Sequence, residues 1–388
     1  MSLETLIESV HAKVPQMHEL TRGWVEINSY SKNVAGVNAC GAALDSAFQI
    51  PGLSLRTETG GGASGDHLFW STPAAASQRP ILLVGHHDTV FPPGHFEGYR
   101  ASDGRGYGPG CLDMKGGIAL IWGVLSTLSD AGLLAAMPIV VVSVADEEVG
   151  SLDSAPHLER LGRSAACALV FESGRPKDSI VTRRRGVGTL RVVASGRAAH
   201  SGNAHADGAN AIWALSRFID AAQALTNYDR GVTVSVGMVK GGTSTNTVPA
   251  HAEASVDVRF ESIVDAHALL AALREAASRC AVPGTQLEVE GDIKRLPMEK
   301  TAASELLYRE YAACQREARL GYAEQPLVGG GSDANTLSAV GLPCIDGLGP
   351  RGGGFHTLDE FIELESFRPK AEALLRFLHG RQGALVAR

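Results

Sequence analysis

The stretch Pro138-Ile139-Val140-Val141-Val142-Ser143-Val144-Ala145-Asp146-Glu147-Glu148-Val149-Gly150-Ser151 decides how this chain is read. Its first half is apolar and β-branched without alternation, the pattern of a strand covered on both faces. The acidic pair Glu147-Glu148 follows at once. Two carboxylates at the mouth of a buried strand are costly unless positive charge compensates them. Neighbouring residues at a strand end point in different directions. One can then ligate a cation while the other faces a water, the division of labour that metal-assisted hydrolysis uses. Taken alone, the pair would equally suit an exposed acidic turn.

Other segments carry related chemistry. Ile81-Leu82-Leu83-Val84-Gly85 leads into His86-His87-Asp88, and Cys167-Ala168-Leu169-Val170-Phe171 leads into Glu172. The Gly-rich loop Gly108-Pro109-Gly110-Cys111-Leu112-Asp113-Met114-Lys115-Gly116-Gly117 opens a long apolar helix. Ligands gather where the strands of open α/β sheets end at their carboxyl side, so these clusters and Asp113 point to one shared metal site.

With 388 residues the chain has room for two domains and an ample core. A formal net charge of −7 offers no basic footprint, which argues against a nucleic-acid partner. No uninterrupted apolar run reaches the length of a membrane span, and residues 1–8 lack the basic segment and apolar core of a signal peptide. The six cysteines are scattered without a CxxC pair and read as reduced thiols of a cytoplasmic protein. Cys111 reads as a small packed residue.

To about residue 184 helix and strand alternate: helices over 3–27, 35–49 and 116–128 imply an α/β fold with a mostly parallel sheet and helices on both faces. The pattern then changes to a strand at 188–195, a helix at 208–225 and alternating strands at 232–236 and 252–260. A helix at 262–280 and a strand at 285–291 follow. This β-α-β-β-α-β order is that of a ferredoxin-like α+β domain, inserted at 185–294 between catalytic parts at 1–184 and 295–388. The closing part offers Gly329-Gly330-Gly331-Ser332-Asp333-Ala334-Asn335, a short strand at 343–346, and Phe355-His356-Thr357.

Five motifs, Gly85-His86-His87-Asp88-Thr89-Val90, the 108–117 loop, Asp146-Glu147-Glu148-Val149-Gly150-Ser151, Glu172 after its strand, and Phe355-His356, stand in one order along nearly the whole chain. In this the chain resembles the zinc-dependent exopeptidase and deacylase family of carboxypeptidase G, aminoacylase, acetylornithine deacetylase and succinyl-diaminopimelate desuccinylase. The resemblance implies a zinc exopeptidase-like fold and two zinc ions, replaceable by cobalt or manganese, bridged by Asp113. His86 and Glu172 complete one ion's ligands, and Glu148 and His356 the other's. It makes Asp88 the carboxylate orienting His86, leaves His87 as a packed neighbour, and places a cis peptide after Asp113. Glu147 becomes the general base that activates a metal-bridging water.

In the inserted domain, Gly196-Arg197-Ala198-Ala199-His200-Ser201-Gly202 resembles the family segment whose histidine holds the tetrahedral oxyanion across a dimer interface. That implies a homodimer and a role for His200, while His205 reads as a surface residue. The same resemblance gives Asn246 and Arg259 as substrate contacts; a guanidinium suits a substrate carboxylate. Arg295 stands open between a second carboxylate contact and a solvated hinge, and residues 183–185 read as solvated or paired. Gly330 and Gly331 would offer backbone donors near the substrate. The flavour of these motifs looks closest to the glutamate carboxypeptidase branch. The expected substrate is an N-acyl amino acid or short peptide losing a C-terminal amino acid, glutamate first. An N-acyl-amino-acid deacylase and a di- or tripeptidase are the alternatives, with neither nucleic acid nor membrane as partner.

Overall fold

The apolar run at 139–144 forms the strand that its composition implies, every residue buried. Five strands, β1 (Ser54–Glu58), β2 (His67–Ser71), β3 (Ile81–His86), β4 (Ile139–Val144) and β5 (Cys167–Val170), join Cys344–Ile345 in one six-stranded sheet. Its order is β1-β2-β4-β3-β5, then Cys344–Ile345. β4, β3, β5 and Cys344–Ile345 run parallel, whereas β2 and β1 are antiparallel additions at one edge. The β3–β4 register sets His86 opposite Val144, so both strands end level with each other and deliver their acidic and imidazole residues to the same rim.

Side chains alternate across this sheet. Ile81 and Leu83, Ile139 and Val141, and Cys167 and Leu169 share one core with the helices Leu3–Ala12, Val14–Val25, Gly116–Asp130, Ala302–Glu317 and Phe367–Val386. Leu82, Val84, Val142, Ala168 and Val170 are also buried but lie outside that core, where Ala155–Ser164 and Asp333–Ala339 cover the other face. This is the α/β sheet with helices on both faces.

The structure described here is a computed structural model covering residues 1–386. The helix expected over 3–27 is two helices that part at Lys13, with Pro15 in the first turn of the second; proline lacks the N–H that a continuous helix needs there. The stretch Cys111–Asp130, interrupted by Asp113, Lys115 and Asp130, is long and apolar enough on average to match a membrane span, but 89% of its most apolar 18-residue window is buried inside this protein, as in a core helix.

The chain separates into two compact units: Met1–Arg183 with Lys300–Leu327 and the segment from Ser332 onward, and Arg184–Glu299 with Val328–Gly331. The return to the first unit therefore falls at Lys300, not 295. Arg184 and Met298 exchange backbone hydrogen bonds at 3.1 Å, and Arg185 N–H donates to Val328 O at 2.9 Å, which holds these segments with the second unit.

The second unit is a four-stranded antiparallel sheet of β6 (Gly186–Ser195), β7 (Thr233–Gly241), β8 (His251–Phe260) and β9 (Gln286–Arg295), in the order β7-β8-β6-β9. That is the split arrangement of a ferredoxin-like unit. Alternating burial along β6 and β8 turns Leu190, Val192, Ala194, Val256 and Val258 toward the helices Ala211–Gln223 and Ile263–Cys280. β7 is an edge strand, with Met238 and Val239 more than half exposed.

Candidate metal centre

His86 closes β3 almost fully buried. Its Nδ1 lies 3.1 Å from the Asp88 carbonyl oxygen and 3.3 Å from Asp88 Oδ1. A proton on Nδ1 satisfies both acceptors and leaves the Nε2 lone pair available, the arrangement that metal-binding imidazoles take. That Nε2 faces Asp113 Oδ1 at 3.3 Å and Glu172 Oε1 at 3.8 Å.

Asp113 lies in the turn Cys111–Lys115, joined to Met114 by a cis peptide bond. The helix that follows begins with Gly116 and Gly117; a Cβ on Gly117 would come within 2.3 Å of the Phe171 carbonyl oxygen. Glycine there lets the start of the helix press against the segment that carries Glu172. On its other side, Asp113 Oδ2 lies 3.4 Å from His356 Nε2, which in turn meets Glu148 Oε2 at 3.0 Å. The two oxygens of one carboxylate thus face two different imidazole–carboxylate pairs, and the ligand atoms fall into the groups His86–Asp113–Glu172 and Asp113–Glu148–His356.

The same Asp88 that orients His86 also fixes the acidic turn. Its Oδ1 accepts the Glu147 N–H at 3.1 Å, and its Oδ2 accepts the Glu148 N–H at 3.2 Å and the Ser31 hydroxyl at 2.7 Å. His87 belongs to neither ligand group. It is buried with Nδ1 2.9 Å from Ser143 Oγ, and burial lowers it to about 3, so it is a neutral packed ring.

Four carboxylates (Asp113, Glu147, Glu148 and Glu172) and two imidazoles meet here. Burial, then the charge of Asp113, pushes Glu148 up to about 8 and Glu172 well above the ordinary range. Burial alone would lower His86, but hydrogen bonds to Asp113 and Asp88 raise it well above the usual imidazole value. Hydrogen bonds to Asp113 and Glu148 raise His356 to about 10. Asp113 is held low: burial opposes its charge, and hydrogen bonds from His356 and His86 outweigh burial. Without cations this cluster keeps protons that ordinary carboxylates and imidazoles would release.

The donor set fits metal ions. Ligand atoms at 2.0–2.2 Å around a tetrahedral zinc lie roughly 3.3 Å apart, and the spacings here are 3.0–3.8 Å. Mixed imidazole and carboxylate ligation suits first-row divalent metals.

One buried carboxylate beside these ligand groups belongs to none of the five motifs. Glu360 is fully buried; its Oε1 accepts the N–H groups of Leu112 and Asp113 at 2.9 and 3.0 Å, and its Oε2 accepts that of Gly110 at 3.1 Å. Burial and then Asp113 raise it to about 7. Cys111 nearby is pushed well up by burial and is a packed thiol.

The model of peptidase family M20/M25/M40 matches residues 82–380. The chain belongs to this family. It is 26% identical over 368 residues to carboxypeptidase G2 of Pseudomonas sp. (strain RS-16), covering 93% of this chain and 88% of that one. It is likewise 26% identical to a succinyl-diaminopimelate desuccinylase of Cereibacter sphaeroides, covering 80% of this chain and 86% of the relative. The crystal structure of aminopeptidase PepT from Bacillus cereus has the same fold, with TM-score 0.77 at 23% identity over 94% of this chain and 98% of that one. The protein is accordingly a family hydrolase with candidate metal ligands in place.

The remaining candidates lie in the second unit. His200 and Asn246 are brought together: the strand Ala199–His200 pairs with Thr247–Val248, and Ser201 N–H donates to the Asn246 carbonyl at 3.0 Å. His200 is exposed, and its Nδ1 accepts the N–H groups of Gly202 and Asn203. The Arg259 guanidinium is held bidentately by Asp257 at 2.9 and 3.0 Å and reaches Gly329 O at 3.4 Å. Arg295 is buried at the end of β9, and Gly330 O accepts from Arg184 at 3.0 Å. His205 is exposed in a short turn.

A pH dependence follows. Glu148, at about 8 against an ordinary 4.5, stabilises the metal-free fold through its proton; the contribution is complete below about pH 4.5 and is lost as pH rises through about 8. Glu172 and His356 act in the same direction. Metal ions held by these residues would replace those protons. The melting-temperature gap between metal-loaded and chelated protein should therefore widen from about pH 5 to about pH 9. Differential scanning calorimetry measures it, and a gap that narrows as pH rises contradicts the assignment.

Proposed function

We propose that the protein is a two-metal amidohydrolase that removes a C-terminal amino acid, glutamate first, from an N-acyl or peptidyl group. The observation that carries this reading is the buried Asp113 carboxylate, with one oxygen toward each imidazole–carboxylate pair. His86, Asp113 and Glu172 would hold one ion, and Asp113, Glu148 and His356 the other. Zinc suits the donors, with cobalt or manganese as substitutes. Bound there, the ions polarise the scissile carbonyl and make water acidic enough to attack at neutral pH.

The chain's own groups handle protons and orientation. Glu147 takes a proton from the attacking water and passes it to the leaving nitrogen. Asp88 supports this from behind, since one carboxylate holds both the His86 ring and the Glu147–Glu148 turn. In this reading His200 donates to the oxyanion. Asn246, Arg259, Arg295 and the backbone of Gly330 and Gly331 bind substrate. Arg259 already holds a carboxylate, that of Asp257, in a bidentate grip of the kind a substrate carboxylate would use.

Preference for glutamate is supported by the likeness to carboxypeptidase G2. The equal identity to a desuccinylase favours a second reading, an N-acyl-amino-acid deacylase using the same machinery. We also propose a homodimer through the edge of the second unit, supported by the open edge of β7 and the exposed Met238, Val239 and Trp213.

Glu147→Gln should keep its full metal content, read by atomic absorption, and lose about 10²–10⁴-fold in kcat; metal loss or near-normal turnover contradicts the role. On a panel of folate-type acyl-glutamates, N-acetylornithine, N-succinyl-diaminopimelate and dipeptides, the acyl-glutamates should show the highest kcat/KM. A deacylase substrate turning over tenfold faster would transfer the assignment to the second reading. Sedimentation should give twice the chain mass, falling to the monomer for Met238→Asp; a wild-type monomer removes the dimer.

A further inference from the structure

The strand Phe361–Glu363 pairs antiparallel with Arg105–Tyr107, setting Phe361 opposite Tyr107 and Ile362 opposite Gly106. Beyond this pairing the two segments stay in contact, the Gly108 N–H donating to the Glu360 carbonyl oxygen at 3.4 Å. One runs through Gly110 to Asp113, and the other runs back through Glu360 to His356. Each segment carries a candidate ligand of the same ion, so how the two are held together bears on the distance between Asp113 Oδ2 and His356 Nε2, 3.4 Å here.

Glu360 joins the two segments. Its carboxylate turns to the backbone of the opposite branch, accepting the N–H groups of Gly110, Leu112 and Asp113 at 3.1, 2.9 and 3.0 Å. Without Glu360 the Asp113 N–H would be left unpaired where Asp113 is only 8% exposed, and the turn that presents its carboxylate to the two imidazoles would lose its anchor. A buried carboxylate is tolerated here because three N–H dipoles converge on it. An amide in its place would set its NH2 group against one of them.

We propose that Glu360 is a positioning residue, outside the metal ligands, which clamps the Asp113 turn to the His356 branch and so sets the affinity of the Asp113–Glu148–His356 site. The proposal rests on the two-metal reading above. It differs from a purely structural role, which would change melting alone.

The test is titration of metal-free protein with Co2+, following heat and the visible d–d absorption. Wild type should bind two equivalents. Glu360→Gln should bind one equivalent near wild-type affinity and the second about 10–100-fold more weakly, with an altered spectrum, as for other groups that orient ligands. Glu360→Asp keeps the charge but loses the reach and should behave like Gln. Two equivalents with wild-type affinity and spectrum in both variants, whatever their melting temperatures, would overturn the proposal. Wild type binding no cobalt would sink the two-metal reading itself, a distinguishable outcome. Should the variants fail to fold, hydrogen exchange on metal-free wild type decides. The amides of Gly110, Leu112 and Asp113 should be protected, and exchange at the rate of an open loop would overturn the clamp.

Discussion

Crowding of acid around Asp113 is the constraint on which the rest of this structure depends. Four carboxylates share a partly closed site with two imidazoles, and the most buried of them are forced to keep protons or to find cations. Like charges packed this tightly in a low-dielectric setting cost far more than a surface cluster would. Cations bound at these groups would repay that cost, and in the proposed two-metal reading Asp113, with one oxygen toward each imidazole–carboxylate pair, would divide the repayment between two ions.

The α/β sheet supplies the rigidity that this crowding demands. His86 and the Glu147–Glu148 turn sit at the ends of neighbouring parallel strands whose registers end level. Glu172 follows the third strand and Asp113 leads into the long buried helix. Two carboxylates outside the ligand groups then hold these pieces together. Asp88 holds the imidazole of one pair and the acidic turn of the other, and Glu360 accepts the backbone N–H groups of the Asp113 turn. Each works by accepting backbone N–H groups, charge-assisted bonds stronger than those between neutral groups.

How much of this was legible in the sequence depends on the kind of signal. The strand at 139–144 and the ligands at strand ends are legible because burial on both faces enforces a continuous apolar run, and chemistry at its end interrupts that run abruptly. The alternation in 188–195 and 252–260 reads as half-covered strands for the same reason. Glu360 is not legible in this way: its partners are main-chain groups, which any sequence offers, and the acidic pair Asp359-Glu360 before Phe361-Ile362 resembles a surface turn. β1 is exposed at nearly every position and has no apolar period to read. The break at Lys13 hides inside a continuous amphipathic pattern, with Pro15 its one mark. The return at Lys300 is fixed by backbone pairing between Arg184 and Met298, distant residues with no shared motif.

The most direct measurement is anomalous X-ray diffraction at the zinc edge from crystals of the zinc-loaded protein. The account requires two peaks roughly 3.5–4 Å apart, one on each side of the Asp113 carboxylate, with His86 and Glu172 on one and Glu148 and His356 on the other. A single peak, or peaks away from Asp113, would contradict it.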